Sequence, residues 1–108
     1  MSKTVKKNVP FLQLLKETSS KQRNILLDHL TPEQLKTILE LVTNLLRPEF
    51  PLSKHFEDKL KRHKSFLRQL GHPGISNRQK RELINKRGAI IVLIVQATLP
   101  FLKDHATS

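Results

Sequence analysis

The chain has 108 residues, with 20 Lys and Arg, nine Asp and Glu, and a formal net charge of +11 at pH 7. This length fits one domain with a core of modest size, and the charge favours a polyanionic partner: nucleic acid first, then an acidic membrane surface or an acidic protein. Because cysteine is absent, a disulfide framework and thiolate chemistry are excluded.

The first nine residues are polar and basic and show no apolar periodicity. We expect them to form a flexible basic arm, followed by a single all-α domain over residues 10–103, a small bundle of four or five short helices, and a polar tail over residues 104–108. Pro10 suits the first turn of a helix, where no backbone N–H is missed. The N-terminus lacks the continuous apolar segment of a secretory signal, which favours an intracellular location.

Two capping patterns predict the next two helices. Ser19 precedes Gln22, and Thr31 precedes Gln34, by the three residues typical of a capping box. The second of these helices continues to about Arg47 with apolar residues at helical spacing, which indicates an ordinary core helix. Those apolar residues are Leu35, Ile38, Leu39, Val42, Leu45 and Leu46.

Two basic helices are predicted over residues 53–70 and 76–87. Ser53 can cap the first of them, and Gly71 is well placed to end it. Ser76 begins another capping-box pattern and so opens the second basic helix.

An uncharged apolar segment over residues 89–102 follows Gly88 directly. As a helix it would measure about 22 Å, which is less than the roughly 30 Å of a bilayer core. Its β-branched residues favour a strand locally, but the chain offers no convincing partner strand, so we predict a buried helix that ends by Pro100. The candidate core or interface residues are Ile90, Ile91, Leu93, Ile94 and Leu99.

Residues 52–87 carry eleven Lys and Arg against three carboxylates, so pairing within the helices cannot neutralise them. We expect a nucleic-acid-binding surface, with DNA favoured over RNA. The absence of Trp and Tyr argues against base stacking and favours contact with phosphates. The candidate binding residues are Lys59, Lys61, Arg62, Lys64, Arg68, Arg78, Lys80, Arg81, Lys86 and Arg87.

Helical spacing divides these cations into two groups. Lys61, Lys64 and Arg68 share one face of the first basic helix, and Arg78 and Arg81 share one face of the second with Asn85. The two helices together also resemble a helix-turn-helix that reads base edges, which is the first alternative function. Against it, the connecting turn is long, and Lys80 falls where a recognition helix normally buries an apolar residue.

A second alternative is a helical module that binds a partner protein or a membrane surface, with the charge incidental. The apolar segment over residues 89–102 is large for so small a core, which favours a homo-oligomer.

No enzyme is predicted, because adjacent Glu57 and Asp58 point to different helix faces and cannot converge. The five histidines show no metal-ligand spacing, so neither a metal site nor a cofactor is expected.

The junction Lys86–Ile94, ending in Leu99-Pro100-Phe101-Leu102, resembles the basic-to-apolar step of adenovirus core-peptide precursors. Over residues 22–102 the chain is similar to short reading frames of Maverick/Polinton (adintovirus-like) elements. This resemblance implies a DNA-associated minor virion protein in the nucleus or virion, whose tail contacts membrane or capsid. The family usually has two glycines at the junction, where this chain has Gly88 followed by Ala89.

Overall fold

The computed structural model describes residues 2–107, with side chains for residues 2–102, and every regular element of that part of the chain is an α-helix. The all-α prediction is therefore confirmed, whereas the predicted number of four or five helices is too low. The eight described helices are α1 (Lys3–Lys7), α2 (Val9–Glu17), α3 (Ser20–Asp28), α4 (Pro32–Leu45), α5 (Lys54–Lys61), α6 (Lys64–Gly71), α7 (Asn77–Lys86) and α8 (Gly88–Thr107).

Helix α8 lies at the centre of the fold and packs against α2, α4, α5, α3 and α7. Its side chains Ile91, Ile94 and Leu99 are at most 1% exposed. Ile90 and Leu93 are half-buried against the same core. The β-branched residues of this segment are helical because burial on several sides outweighs their local preference for strands. The apolar segment is thus core in this fold.

The predicted helix starts are present, and local hydrogen bonds explain them. The Thr31 hydroxyl accepts from the Gln34 amide at 3.1 Å, and Gln34 Oε1 accepts from the Thr31 amide at 3.0 Å. Ser76 and Gln79 make the same reciprocal pair at the start of α7. Ser19 accepts from the amide three residues later, as does Ser53. Each cap satisfies an amide that the helix itself leaves free.

Within the predicted flexible arm over residues 1–9, the structure places α1 and the first residue of α2. The Ser2 hydroxyl caps this helix by accepting from the Val5 amide at 3.3 Å, and the Ser2 amide donates to Glu40 Oε2 of α4 at 3.2 Å. Val5 is 0% exposed and Val9 is 8% exposed. These two valines are four residues apart and therefore on one side of the chain, which places them in the core.

The predicted helix over residues 53–70 is divided into α5 and α6. The break falls at His63, whose backbone leaves the helical region with φ −115° and ψ 17°. The His63 amide donates to the Leu60 carbonyl, three residues back, at 2.9 Å. Leu60 and Leu67 are both buried, so the break preserves the apolar face on either side of it.

Helix α8 does not end by Pro100, as the sequence suggested, but continues to Thr107. The predicted tail over residues 104–108 is thus helical as far as Thr107, and its last residue lies outside the described part. Proline disfavours a helix interior because it cannot donate to the carbonyl four residues back. Leu99 and Leu102 on either side of Pro100 are at most 1% exposed, and their burial outweighs that cost.

No single helix among the described residues is long and apolar enough to cross a membrane. Helix α7 and residues Gly88–Leu102 are long and apolar enough for this only when they are taken together, and the pair is bent by 94° at its break.

Candidate polyanion-binding surface

Most of the ten predicted binding residues reach solvent on α5, α6 and α7. Arg81 is half-buried, and Lys80 is only 9% exposed. The other eight are exposed: Lys59, Lys61, Arg62, Lys64, Arg68, Arg78, Lys86 and Arg87.

Carboxylates neutralise little of this charge. Among the described side chains, Arg78 is the one member of the ten in an ion pair, with its Nε 3.9 Å from Glu82 Oε1. Both side chains are largely exposed, and such a pair is typically worth less than about 1 kcal/mol. The remaining exposed cations therefore keep a charge that an external anion can meet.

Lys61, Lys64 and Arg68 lie together, as their spacing predicts. They line a cleft of about 300 Å³ between α5–α6 and the end of α4. Arg47, just after α4, lines the same cleft, and Glu57 is the single carboxylate among the described residues that line it. The tertiary fold thus adds a fourth cation that the spacing within one helix does not reveal.

Lys59 and Arg62 occupy a different side of α5. They line a shallower hollow together with Asp58, His63 and Leu93 of α8. The cations of α5 are therefore divided between two sides of the helix, because Lys61 lies two positions from Lys59 and one from Arg62, and residues so spaced point in different directions. An extended polyanion could contact both sides, whereas a small anion could not.

The predicted face of α7 is largely used to hold α7 in the fold. The Arg81 Nη1 donates to the Leu30 carbonyl, and Asn85 Nδ2 donates to Asp28 Oδ1 at 3.0 Å. Both partners lie at the end of α3 or just after it. Lys80 shares the inward side of α7 with Ile84, which is fully buried. Arg81 and Lys80 thus have structural contacts that compete with ligand binding.

Lys86 and Arg87 lie at the end of α7, where the chain turns into α8. The guanidinium carbon of Arg87 is 5.4 Å from the centroid of the Phe66 ring, a cation–π contact between this turn and α6. Gly88 follows at a close approach: a Cβ there would lie 3.1 Å from Arg23 Nε and 3.2 Å from Leu27 Cδ1. Arg87 is thus exposed but held in place.

The geometry of α6 and α7 bears on the helix-turn-helix alternative. Lys80 does face inward, which is the direction that a recognition helix gives to that position. The polar residues at the start of α7 are otherwise engaged, since Gln79 caps Ser76 and Arg78 pairs with Glu82. Asn77 borders a hollow whose other walls come mainly from α4. These contacts disfavour base reading by this end of α7.

Sequence reasoning missed the apolar lining of the cleft beside Lys61. The half-buried residues Leu45, Leu46, Phe50 and Leu52 line it together with the cations. The signal was weak, because Leu45 and Leu46 fit a core helix, and Phe50 and Leu52 lie in a short connector that contains Pro48 and Pro51. Among the described residues, no group of three or more His, Cys, Asp and Glu could hold a metal ion.

Comparison of the chain with protein-family models, with curated proteins and with solved structures found no match.

Proposed function

We propose that this protein is a non-enzymatic nucleic-acid-binding protein that contacts the phosphate backbone of DNA. The observation that carries the proposal is the set of eight exposed cations on α5, α6 and α7, of which one is paired with a carboxylate in the described part of the chain. Binding in this manner releases counterions from DNA, which makes affinity strongly dependent on salt.

Two features support phosphate contact over reading of bases. All five phenylalanines are buried or half-buried, and Trp and Tyr are absent, so no Phe, Trp or Tyr ring is exposed for stacking. At the start of α7, Gln79 is engaged in the cap with Ser76, and Arg78 forms an ion pair with Glu82 of the same helix. Binding should therefore be nearly indifferent to sequence. The virion role and the nuclear or virion location rest on the resemblance alone and stay predictions.

The test is binding to labelled random-sequence duplex DNA across a salt series. The variant carries Lys61→Gln, Lys64→Gln and Arg68→Gln, and its matched control carries Lys16→Gln, Lys21→Gln and Lys36→Gln. All six residues are exposed, and both variants lose the same charge. Each lost phosphate contact should flatten the slope of log affinity against log salt by roughly 0.9. We expect a marked flattening in the first variant and little change in the control.

Other results would contradict the proposal in distinct ways. If both variants lost DNA affinity equally, DNA would be attracted by the net charge of the protein and not by a particular surface. A strong preference for particular duplexes would favour the helix-turn-helix. Failure to bind DNA, with binding to anionic vesicles in parallel, would favour a membrane surface.

A further inference from the structure

The cleft beside α5–α6 combines an apolar floor with a cationic edge, which phosphate binding does not require. Leu60 and Leu67 are 4% and 3% exposed and form its base. Half-buried Leu46, Phe50 and Leu52 form the wall on the side of α4 and the connector. A volume of about 300 Å³ is at the lower end of the range for ligand pockets, about 300–1,000 Å³.

The cleft-lining residues of α5 and α6 keep one helical repeat through the break at His63. The cations Lys61, Lys64 and Arg68 are three and then four residues apart, and each of Lys61 and Arg68 follows directly on a buried lining leucine, Leu60 or Leu67. The positive charge therefore follows the length of the cleft rather than a single point. Exposed Arg47, from the end of α4, adds positive charge to the lining, and among the described lining residues Glu57 is the single carboxylate.

We propose that this cleft binds an acidic amphipathic helix of a partner protein. Leucine or phenylalanine side chains of that helix would occupy the apolar floor, as in other helix-in-groove complexes. Its carboxylates would lie opposite the row of cations. Nucleic acid could contact the cations at the edge of the cleft but would not occupy its floor, because the floor is mainly aliphatic and the Phe50 ring packs edge-on to Phe101 with centroids 5.1 Å apart. The recess also disfavours a flat membrane surface.

The probe for this proposal is a fluorescein-labelled synthetic helix of about four turns, with Leu at i, i+4 and i+7 and Glu beside them. A scrambled peptide of the same composition and a peptide with Lys in place of Glu are the controls. We expect the acidic helix to bind the full-length chain, and to change amide NMR shifts mainly at residues 45–52 and 57–68. Both control peptides should bind at least about tenfold more weakly, because they lose the apolar face or the complementary charge.

Two variants separate this site from the proposed DNA surface. Leu52→Gln removes an apolar lining residue without a change of charge, and it should weaken peptide binding about tenfold while leaving the salt slope for DNA unchanged. Lys61→Gln with Lys64→Gln should also weaken peptide binding. The matched control, Lys59→Gln with Arg62→Gln, loses the same charge on the other side of α5 and should leave peptide binding unchanged. Loss of DNA binding alone would therefore not affect this inference, and loss of peptide binding alone would not affect the proposed function.

The inference is overturned if the scrambled peptide binds as well as the designed helix, or if the changed amides lie outside the cleft. Equal losses from the two charge variants would also overturn it. The peptide could also fail to change the amide NMR shifts of Phe50 and Leu52 where duplex DNA or phosphatidylserine vesicles do change them. The cleft would then be assigned to that ligand instead.

Discussion

At the residue scale, Ile94 and Ile25 have opposite environments. Ile94 is 0% exposed in the middle of α8, whereas Ile25 is 56% exposed on α3. The same Ile→Ala change at the two sites therefore shows how much of its effect on stability comes from burial of the side chain. It also tests whether the apolar segment is core or an unoccupied interface.

We predict that Ile94→Ala lowers the free energy of unfolding by about 2–5 kcal/mol, because it removes buried methyl groups and leaves a cavity. Ile25→Ala should change it by less than about 0.5 kcal/mol. Denaturant titration followed by circular dichroism measures both values. Similar small effects at both sites would mean that α8 is not packed as the structure has it.

At the element scale, α1 connects a basic segment to the core. Its lysines Lys3, Lys6 and Lys7 are exposed, while Val5 is fully buried, and α1 packs against α4 and α2. The segment can therefore contribute to stability through Val5 and to charge through its lysines. These two contributions can be removed separately.

Deletion of residues 1–7 should lower the free energy of unfolding by roughly 1.5–3 kcal/mol, the contribution expected from one fully buried aliphatic side chain. The matched variant, with Lys3, Lys6 and Lys7 replaced by Gln, keeps Val5 and should stay within about 0.5 kcal/mol of the wild type. Thermal unfolding of both proteins gives the comparison. If the deletion leaves stability unchanged and reduces only DNA affinity, residues 1–7 act as the flexible arm first predicted.

At the scale of the whole molecule, the excess of positive charge opposes compaction. The formal charge is +11, and the described Lys and Arg side chains form two ion pairs, Lys7 with Glu33 and Arg78 with Glu82. Like charges repel across such a surface, and salt screens that repulsion. The fold should therefore be less stable at low ionic strength.

Raising the ionic strength from about 0.01 M to about 0.15 M shortens the screening length from about 30 Å to about 8 Å, and Tm should rise. A gain of about 1 kcal/mol would correspond to roughly 4–8 °C for a domain of this size. The variant with Lys59→Gln and Arg62→Gln carries less charge and should show a smaller rise in a scanning calorimeter. A fall in Tm with salt would instead mean that attractive ion pairs dominate the surface.

Local hydrogen bonds explain why so much of the fold could be predicted from the sequence. Thr31 with Gln34 and Ser76 with Gln79 are three residues apart, so the start of each helix depends on its own residues. The grouping of Lys61, Lys64 and Arg68 follows in the same way from helical spacing. The sequence by itself therefore determined the all-helical class, most helix starts and the basic character of α5 to α7.

The tertiary structure alone decided which of these residues are exposed and free to contact a ligand or partner. Val5 is buried because α4 lies against α1, and Arg81 is engaged because the Leu30 carbonyl lies beside it. Arg47 joins Lys61 because the end of α4 reaches α5 and α6. The physical reason is that burial and the neighbours of a charge depend on segments far apart in the chain, whereas a cap or a helical repeat depends on residues within one or two turns.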